Sequence, residues 1–392
     1  MANLELVFYI AVVLVSSVIC FCGHWPIFEG TPIHALNYYC TGGIFELLEK
    51  CVGFTCGERG LRAIYCVEHY CCERPNPILQ IFYFTIVGGA YFAAMTTSFK
   101  YIPGPYLSAI HWYLGTGSVV MGLLLFLLTS FSDPGFVSSS NVSDYLAMFP
   151  YDGVLYEEKI CSTCNIPRPP RSKHCSICGH CVARFDHHCG WTNTCIGENN
   201  LRYFMAFLFW HCYLCLYAAF VIAAVIVGEM KRKNLVRLLT VYYGIGSNFQ
   251  ELAPLIFQWV LAFHGEQLML LLFLGIISLL LMGFSGYHLY LIIINTTTNE
   301  TLKWENYKRL KAERVNTHEM PDDTSLSTVE VAKKRSKHSC SIPFFTRRNS
   351  QNKLQRENIY DRGILQNLAE VFFPRSSRLW WQDLTLFKVK YS

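Results

Sequence analysis

Between positions 161 and 195 the chain places seven cysteines and four histidines, its densest group of side chains able to do chemistry. A tetrahedral zinc ion takes four nitrogen or sulfur ligands, and two thiolates spaced C-x-x-C can reach one ion from a single tight turn. Cys161 with Cys164 and Cys175 with Cys178 have that spacing, and His174, His180, Cys181, His187, His188, Cys189 and Cys195 complete the set. Two closed sites would consume eight of the eleven and leave three over. His174 adjoins Cys175 and His188 adjoins Cys189. Neighbours in extended backbone point opposite ways, so adjacent ligands more easily serve different ions or roles. One cysteine and two histidines are thereby expected to be free of metal, and spacing alone does not say which.

The run Asp186-His187-His188-Cys189 holds the parts of a thiol nucleophile. It has a cysteine, an imidazole to take its proton and a carboxylate to orient the imidazolium. A cationic neighbour and a nearby metal both favour thiolate over thiol. The competing reading from these residues is a non-catalytic zinc module, anchored in a membrane and binding partner proteins, in which all seven cysteines are structural.

The elements that must position this module are membrane helices. Of 392 residues, 52% are hydrophobic and only 16% charged, and the mean hydropathy is +0.26. Twenty-eight Phe, 23 Tyr and 8 Trp suit a protein whose amphipathic rings gather at the two headgroup levels. A net charge of +5 is too modest to imply nucleic acid. Apolar runs at 4–22, 78–99, 106–131, 203–227 and 268–294 are long enough to cross a hydrocarbon core. The expected class is therefore an all-α polytopic membrane protein with about five spans and a small cytosolic zinc-binding module. A transporter would need paired broken helices and midplane charges, which the sequence lacks. The run at 4–22 has no basic residues before it and reads as a retained anchor rather than a signal peptide. The stretch 252–263 is too short to span and is left unassigned.

Four regions follow: 1–131 with three spans and a Cys-rich loop, the module at 132–202, a two-span region at 203–294, and a tail at 295–392. Two spans separate module and tail, so both lie on one face. Lys303, Lys308, Arg309, Lys311 and Arg314 close to the last span place that face in the cytosol, as does the need for reduced thiols. The N-terminus is then lumenal. Cys71 and Cys72, just before the second span, are candidates for acylation, with ordinary buried thiols the blander expectation. His211 and His288 fall within spans, where an ionisable group is a functional candidate, although bonded neutral histidines are the commoner case. In the tail, 315–353 is polar and basic, whereas 358–373 regains a helical apolar rhythm and reads as an amphipathic helix on the membrane or the bundle. Lys388 and Lys390 resemble a dilysine retrieval signal, which puts the endoplasmic reticulum first and the Golgi next. The sequons at Asn141 and Asn295 would go unused on a cytosolic face.

From Cys161 to Phe204 the chain closely resembles the Asp-His-His-Cys family of protein S-acyltransferases (palmitoyltransferases), with Arg168, Pro169, Arg171, Trp191, Asn193, Gly197 and Asn200 in place. Asp133-Pro134-Gly135 and Thr297-Thr298-Asn299-Glu300 resemble that family's flanking motifs, and Tyr360 with Asn367 its C-terminal element. Gly190 and Thr194 depart from its usual pattern. The resemblance implies one zinc on Cys161, Cys164, His174 and Cys181, and a second on Cys175, Cys178, His188 and Cys195. It leaves Cys189 as nucleophile, His187 as base and acid, and Asp186 as its orienting partner. It further implies palmitoyl-CoA or a similar long-chain acyl-CoA as donor, and membrane-proximal cysteines of substrate proteins as acceptors. Trp191 would border the acyl cavity, and Arg168, Arg171 and Lys173 are candidates to meet the CoA phosphates.

Overall fold

The computed structural model describes Ile19 and residues 30–39, 43–317 and 358–374. Helices are α1 Pro32–Tyr38, α2 Ile44–Glu73, α3 Ile78–Thr97, α4 Ile110–Phe131, α5 Val142–Met148, α6 Leu201–Arg232, α7 Phe249–Ile293, α8 Thr298–Thr317 and α9 Ile364–Phe372. Between α4 and α6 lie five short strands: β1 Phe136–Val137, β2 Lys173–Cys175, β3 His180–Val182, β4 His187–Cys189 and β5 Thr194–Ile196. Four segments among the described residues are long and apolar enough to cross a bilayer: 78–101, 110–131, 201–232 and 249–293. The protein is thus helical and multi-pass. All of the apolar run at 4–22 except Ile19, most of the basic stretch at 315–353, and Lys388 and Lys390 lie outside the described residues.

Several elements differ from the sequence expectation. The Cys-rich segment before the second span is not a loop but the 30-residue helix α2, rich in Glu, Leu, Lys and Arg, which favour helix. It is interrupted at Gly57, where φ is +58°, and it ends at Arg74, whose extended backbone is what the following Pro75 demands. The apolar stretch 252–263 joins the last span to make α7, 45 residues long with a non-helical break at His264 (φ −135°, ψ 26°). Helix α8 begins in a reciprocal cap: Thr297 N–H donates to Glu300 Oε2 at 2.9 Å, and Glu300 N–H donates to Thr297 Oγ1 at 3.2 Å. This is the T-x-x-E capping box, and it starts a helix where the sequence suggests only a tail. The tail helix begins at Ile364 rather than near 358, because residues before it form a turn whose Arg362 N–H donates to Asn367 Oδ1 at 3.0 Å.

By contact density the chain divides into two units, Met1–Gly115 with Ala218–Phe273, and Thr116–Tyr217 with Leu274–Ser392. In the first, Phe99 packs edge-on against Trp112 with ring centroids 5.0 Å apart, and Trp112 Nε1 donates to Ile102 O at 3.1 Å. Gln267 Nε2 donates to Thr97 O at 2.9 Å, and His264 bonds Gln267.

The second unit carries the cysteine module. Strands β1, β3 and β2 form one small antiparallel sheet, and β4 with β5 a separate hairpin. One core of the unit gathers Val137, Tyr145, Met148, Phe149, Tyr156, Ile166, Ala183 and Tyr360. Another gathers Cys189, Ile196, Leu201, Phe204, Met205, Leu208, Ile292 and Val371. Gly197 sits where a Cβ would come within 2.6 Å of Pro134 O and 2.9 Å of Ala183 O, so only glycine fits that crossing.

At the centre of this unit Arg171 is wholly buried. Its Nε and Nη2 donate to the two oxygens of Glu300 at 2.7 and 2.8 Å, and Nη1 and Nη2 donate to the side chain and backbone oxygens of Asn295 at 2.8 and 2.9 Å. Phe149 and Tyr360 face the guanidinium at 5.1 and 4.5 Å. Removing one partner of a buried pair leaves the other charge uncompensated, at a cost of about 3–5 kcal/mol. We therefore expect Arg171→Met to lower the unfolding midpoint of detergent-solubilised protein sharply. Arg171→Lys should not restore it, since an ammonium cannot present the fork that Glu300 and Asn295 share. An unchanged midpoint in either variant would contradict this role.

Candidate functional site

Two hairpins sort the ligands. In β2–β3, His174 lies opposite Cys181, while Cys175 lies opposite His180. In β4–β5, His188 lies opposite Cys195, with His187 opposite Ile196 and Cys189 opposite Thr194. Side chains directly opposed in an antiparallel pair share a face, and successive residues alternate faces. His174 and Cys181 thus turn together toward Cys161 and Cys164. Cys175 turns the other way, to meet Cys178, His188 and Cys195.

The result is two quartets, Cys161, Cys164, His174, Cys181 and Cys175, Cys178, His188, Cys195, in each of which the ligand atoms all lie within 4.8 Å of one another. His188 Nδ1 stands 3.7, 3.3 and 3.6 Å from the sulfurs of Cys175, Cys178 and Cys195. In the other quartet, His174 Nδ1 stands 3.2 and 3.9 Å from Cys164 and Cys181. A metal–sulfur bond of about 2.3 Å implies tetrahedron edges of about 3.5–3.8 Å. Both donor sets therefore have the size and chemistry of closed, four-coordinate metal sites. These are the quartets that the resemblance implied.

The alternation that turns His188 to the metal turns His187 and Cys189 to the opposite face. There His187 Nδ1 donates to Asp186 Oδ2 at 2.6 Å. Asp186 is almost fully buried and is held from a second element: Thr298 N–H donates to Oδ1 at 2.7 Å and Thr298 Oγ1 to Oδ2 at 3.1 Å. Because Nδ1 is committed to the carboxylate, Nε2 is the nitrogen of His187 left for proton transfer. Cys189 is buried beside Leu201, Phe204, Met205, Leu208 and Ile292, an apolar lining from α6 and α7.

Electrostatics follow from this arrangement. Burial raises the Asp186 carboxyl, but the hydrogen bond and charge of His187 outweigh it and hold the group down at about 2. Burial disfavours the His187 cation, yet Asp186 first and Cys189 second lift it to about 10. Burial would likewise raise the Cys189 thiol, and the adjoining His187 instead brings it to about 7. The two groups stabilise each other as a thiolate–imidazolium pair.

Other residues singled out by sequence fall in varied places. Arg171 does not face solvent: its donors are taken by Glu300 and Asn295, so it is a structural strut and not a phosphate contact. Lys173 is exposed on the module, whereas Arg168 is half-buried and its Nη2 donates to Cys161 Sγ at 3.5 Å. With Lys159 they bear on Lys303 of α8, whose burial and cationic neighbours lower its ammonium to about 8 despite Glu300. Trp191 is 44% exposed, just past Cys189. His211 bonds the carbonyl of Phe207 in its own helix at 2.9 Å. Asn295 is fully buried, so its sequon is inaccessible.

His288 does reach the site. Its Nδ1 lies 3.9 Å from Asp186 Oδ2, and its ring centroid is 5.8 Å from that of His187, with Phe284 and Phe204 closing around it at 4.6 and 5.3 Å. Its position within an apolar run had marked it as a candidate, without naming the partner. Thr298 was legible only as part of a motif. Nothing in the local sequence connects it with Asp186, 112 residues away.

Metal content separates the two faces of β4. Cys189→Ser and His187→Ala should each retain two ions per chain by inductively coupled plasma mass spectrometry, whereas Cys178→Ser should retain one. Loss of metal from Cys189→Ser would make that cysteine a ligand and revive the reading in which every thiol is structural.

Comparison with known proteins agrees with this geometry. A family model described as DHHC palmitoyltransferase matches residues 154–305. Palmitoyltransferase swf1 of Schizosaccharomyces pombe is 27% identical, over 93% of this chain and 96% of that protein. Palmitoyltransferase ZDHHC4 of Bos taurus is 27% identical over 81% of this chain and 83% of its own length. That of Mus musculus is 31% identical over 62% of this chain and 71% of its own length. The matched region holds both metal quartets, the Asp186-His187-Cys189 array and the Thr298 that supports it, and on this ground the chain belongs to the DHHC palmitoyltransferase family.

Proposed function

We propose that this protein is a protein S-acyltransferase that works through an acyl-Cys189 intermediate. The observation that carries the reading is the free thiol–imidazole pair on the face of β4 turned from the metal and backed by buried Asp186. The Cys189 thiolate attacks the thioester carbonyl of a long-chain acyl-CoA, with palmitoyl-CoA the first candidate. The carbon–sulfur bond to CoA breaks, and the departing thiolate takes a proton from His187. In the second half His187 removes the proton of an incoming protein cysteine, whose sulfur takes the acyl group and frees Cys189. Asp186 holds the imidazole in one tautomer and stabilises its cation. One thioester is exchanged for another, so no energy source is needed.

The apolar residues beside Cys189 support a donor with a long chain. Burying each CH₂ is worth about 0.8 kcal/mol, which reaches on the order of 10 kcal/mol for a palmitoyl chain. Lys159, Arg168, Lys173 and Lys303 form a cationic group suited to the CoA phosphates, and Trp191 is suited to the mouth of the acyl cavity. We assign zinc to both quartets, where it would hold the hairpins in register and take no part in the transfer. Acceptors are cysteines of substrate proteins near the bilayer surface. We place the module and tail in the cytosol, from the basic residues after the last span, and the protein in an endomembrane, the endoplasmic reticulum or Golgi.

Purified protein incubated with clickable palmitoyl-CoA should carry hydroxylamine-labile label that is absent from Cys189→Ser. Label persisting in that variant would overturn the assignment. His288 acts in this scheme as a positioning residue that keeps Asp186 and His187 in place. His288→Phe keeps a ring among Phe204 and Phe284 but has no polar nitrogen, and it should lower kcat about 10- to 100-fold with the KM for acyl-CoA unchanged. His288→Asn should recover part of the loss. Full activity in His288→Phe would reduce this residue to packing alone.

A further inference from the structure

The thiols of Cys71 and Cys72 are exposed in the last turn of α2. The helix buries none of its residues, so the expectation of ordinary buried thiols fails, and what holds the helix must come from outside its own packing. Its end is rigidly joined to the membrane span. Asn76 Nδ2 donates to the carbonyls of Tyr70 and Cys71 at 3.1 and 3.0 Å, capping α2, while Asn76 Oδ1 accepts from Ile78 N–H at 3.2 Å, capping α3. One side chain thus ties the two cysteines to the first residue of the span. Ile78 and Leu79 there present apolar surface outward. Two spans then separate Cys72 from the metal-binding module, and an even number of crossings returns the chain to the same side of the bilayer.

We propose that Cys71 and Cys72 are themselves S-acylated, receiving a long-chain acyl group in thioester linkage from acylated Cys189. The proposal rests on the transferase reading above. The thiol of Cys71 or Cys72 gives its proton to His187, its sulfur attacks the Cys189 thioester, and the carbon–sulfur bond to Cys189 breaks to release that thiolate. Nothing is oxidised or reduced. An acyl chain attached within the last turn of α2 is long enough to enter the bilayer beside the start of α3, and it would fix at the membrane surface a helix that has no buried face of its own. Consecutive helix positions lie about 100° apart, so the two thiols leave α2 in different directions. Competing uses are weaker: neither residue belongs to a metal-ligating group among the described residues, and both are free thiols.

The test uses full-length protein reconstituted in phosphatidylcholine vesicles, incubated with clickable palmitoyl-CoA and read by peptide mass spectrometry. Wild type should carry label on Cys189 and on the peptide holding Cys71 and Cys72, and hydroxylamine should remove both. Cys189→Ser should carry neither, and the double variant Cys71→Ser/Cys72→Ser should load Cys189 as wild type does. A wild-type protein labelled at Cys189 and bare at Cys71 and Cys72 would overturn this proposal and spare the transferase reading. Equal label at Cys71 and Cys72 in Cys189→Ser would overturn transfer from Cys189. Absence of label at Cys189 in wild type would overturn the transferase reading itself.

Discussion

A guanidinium with no access to water governs this architecture. Arg171 must be neutralised where it lies, and its partners come from two distant parts of the chain: Asn295 and Glu300 at the passage from α7 into α8, and the ring of Tyr360 before α9. None of them can leave without exposing the others to a desolvation cost that no solvent relieves. The module, the end of the last span and the described parts of the tail are therefore one cooperative body. Asn295 extends the network. In a left-handed conformation (φ +47°), it donates to Tyr360 O at 2.7 Å and receives Arg184 Nη2 at 2.9 Å.

The same body holds the reactive residues. The capping box that begins α8 presents Glu300 to Arg171 and, one residue into the helix, Thr298 to Asp186. A single turn of chain thus braces the module and orients the Asp186 carboxylate. Asn367 reinforces it from the tail by donating to Ile293 O at 2.7 Å, which anchors α9 to the end of α7. That helix buries Asn367, Glu370 and Val371 while leaving Leu365, Phe372 and Phe373 exposed. Its protein-facing side thus carries Asn367 and Glu370 beside the apolar Val371 and Leu368.

Metal and chemistry are kept apart by the pleat of β4 rather than by distance. His187, His188 and Cys189 are consecutive, yet the period of two directs the middle residue to a quartet and the outer two to Asp186 and the apolar lining. A metal in the quartet would hold the hairpin stiff on one face, while the Cys189 thiol on the other is left out of the ligand set.

The sequence by itself determined the class of the protein, because five apolar runs are each long enough to cross a hydrocarbon core. It also determined that two closed four-ligand sites would leave three of the eleven candidate ligands spare, since ligand number is a count and needs no coordinates. Spacing could not say which three. The hairpin register decided that by placing His188 opposite Cys195 and His174 opposite Cys181. Only tertiary structure could show that Arg171 is a strut rather than a phosphate contact, that Thr298 and His288 attend Asp186, and that Asn295 is buried. Each of those facts depends on contacts between residues more than a hundred positions apart, or on burial produced by such contacts. Local composition carries no record of them, since Arg171 among basic neighbours and His288 among apolar ones look the same whether or not a carboxylate waits across the fold.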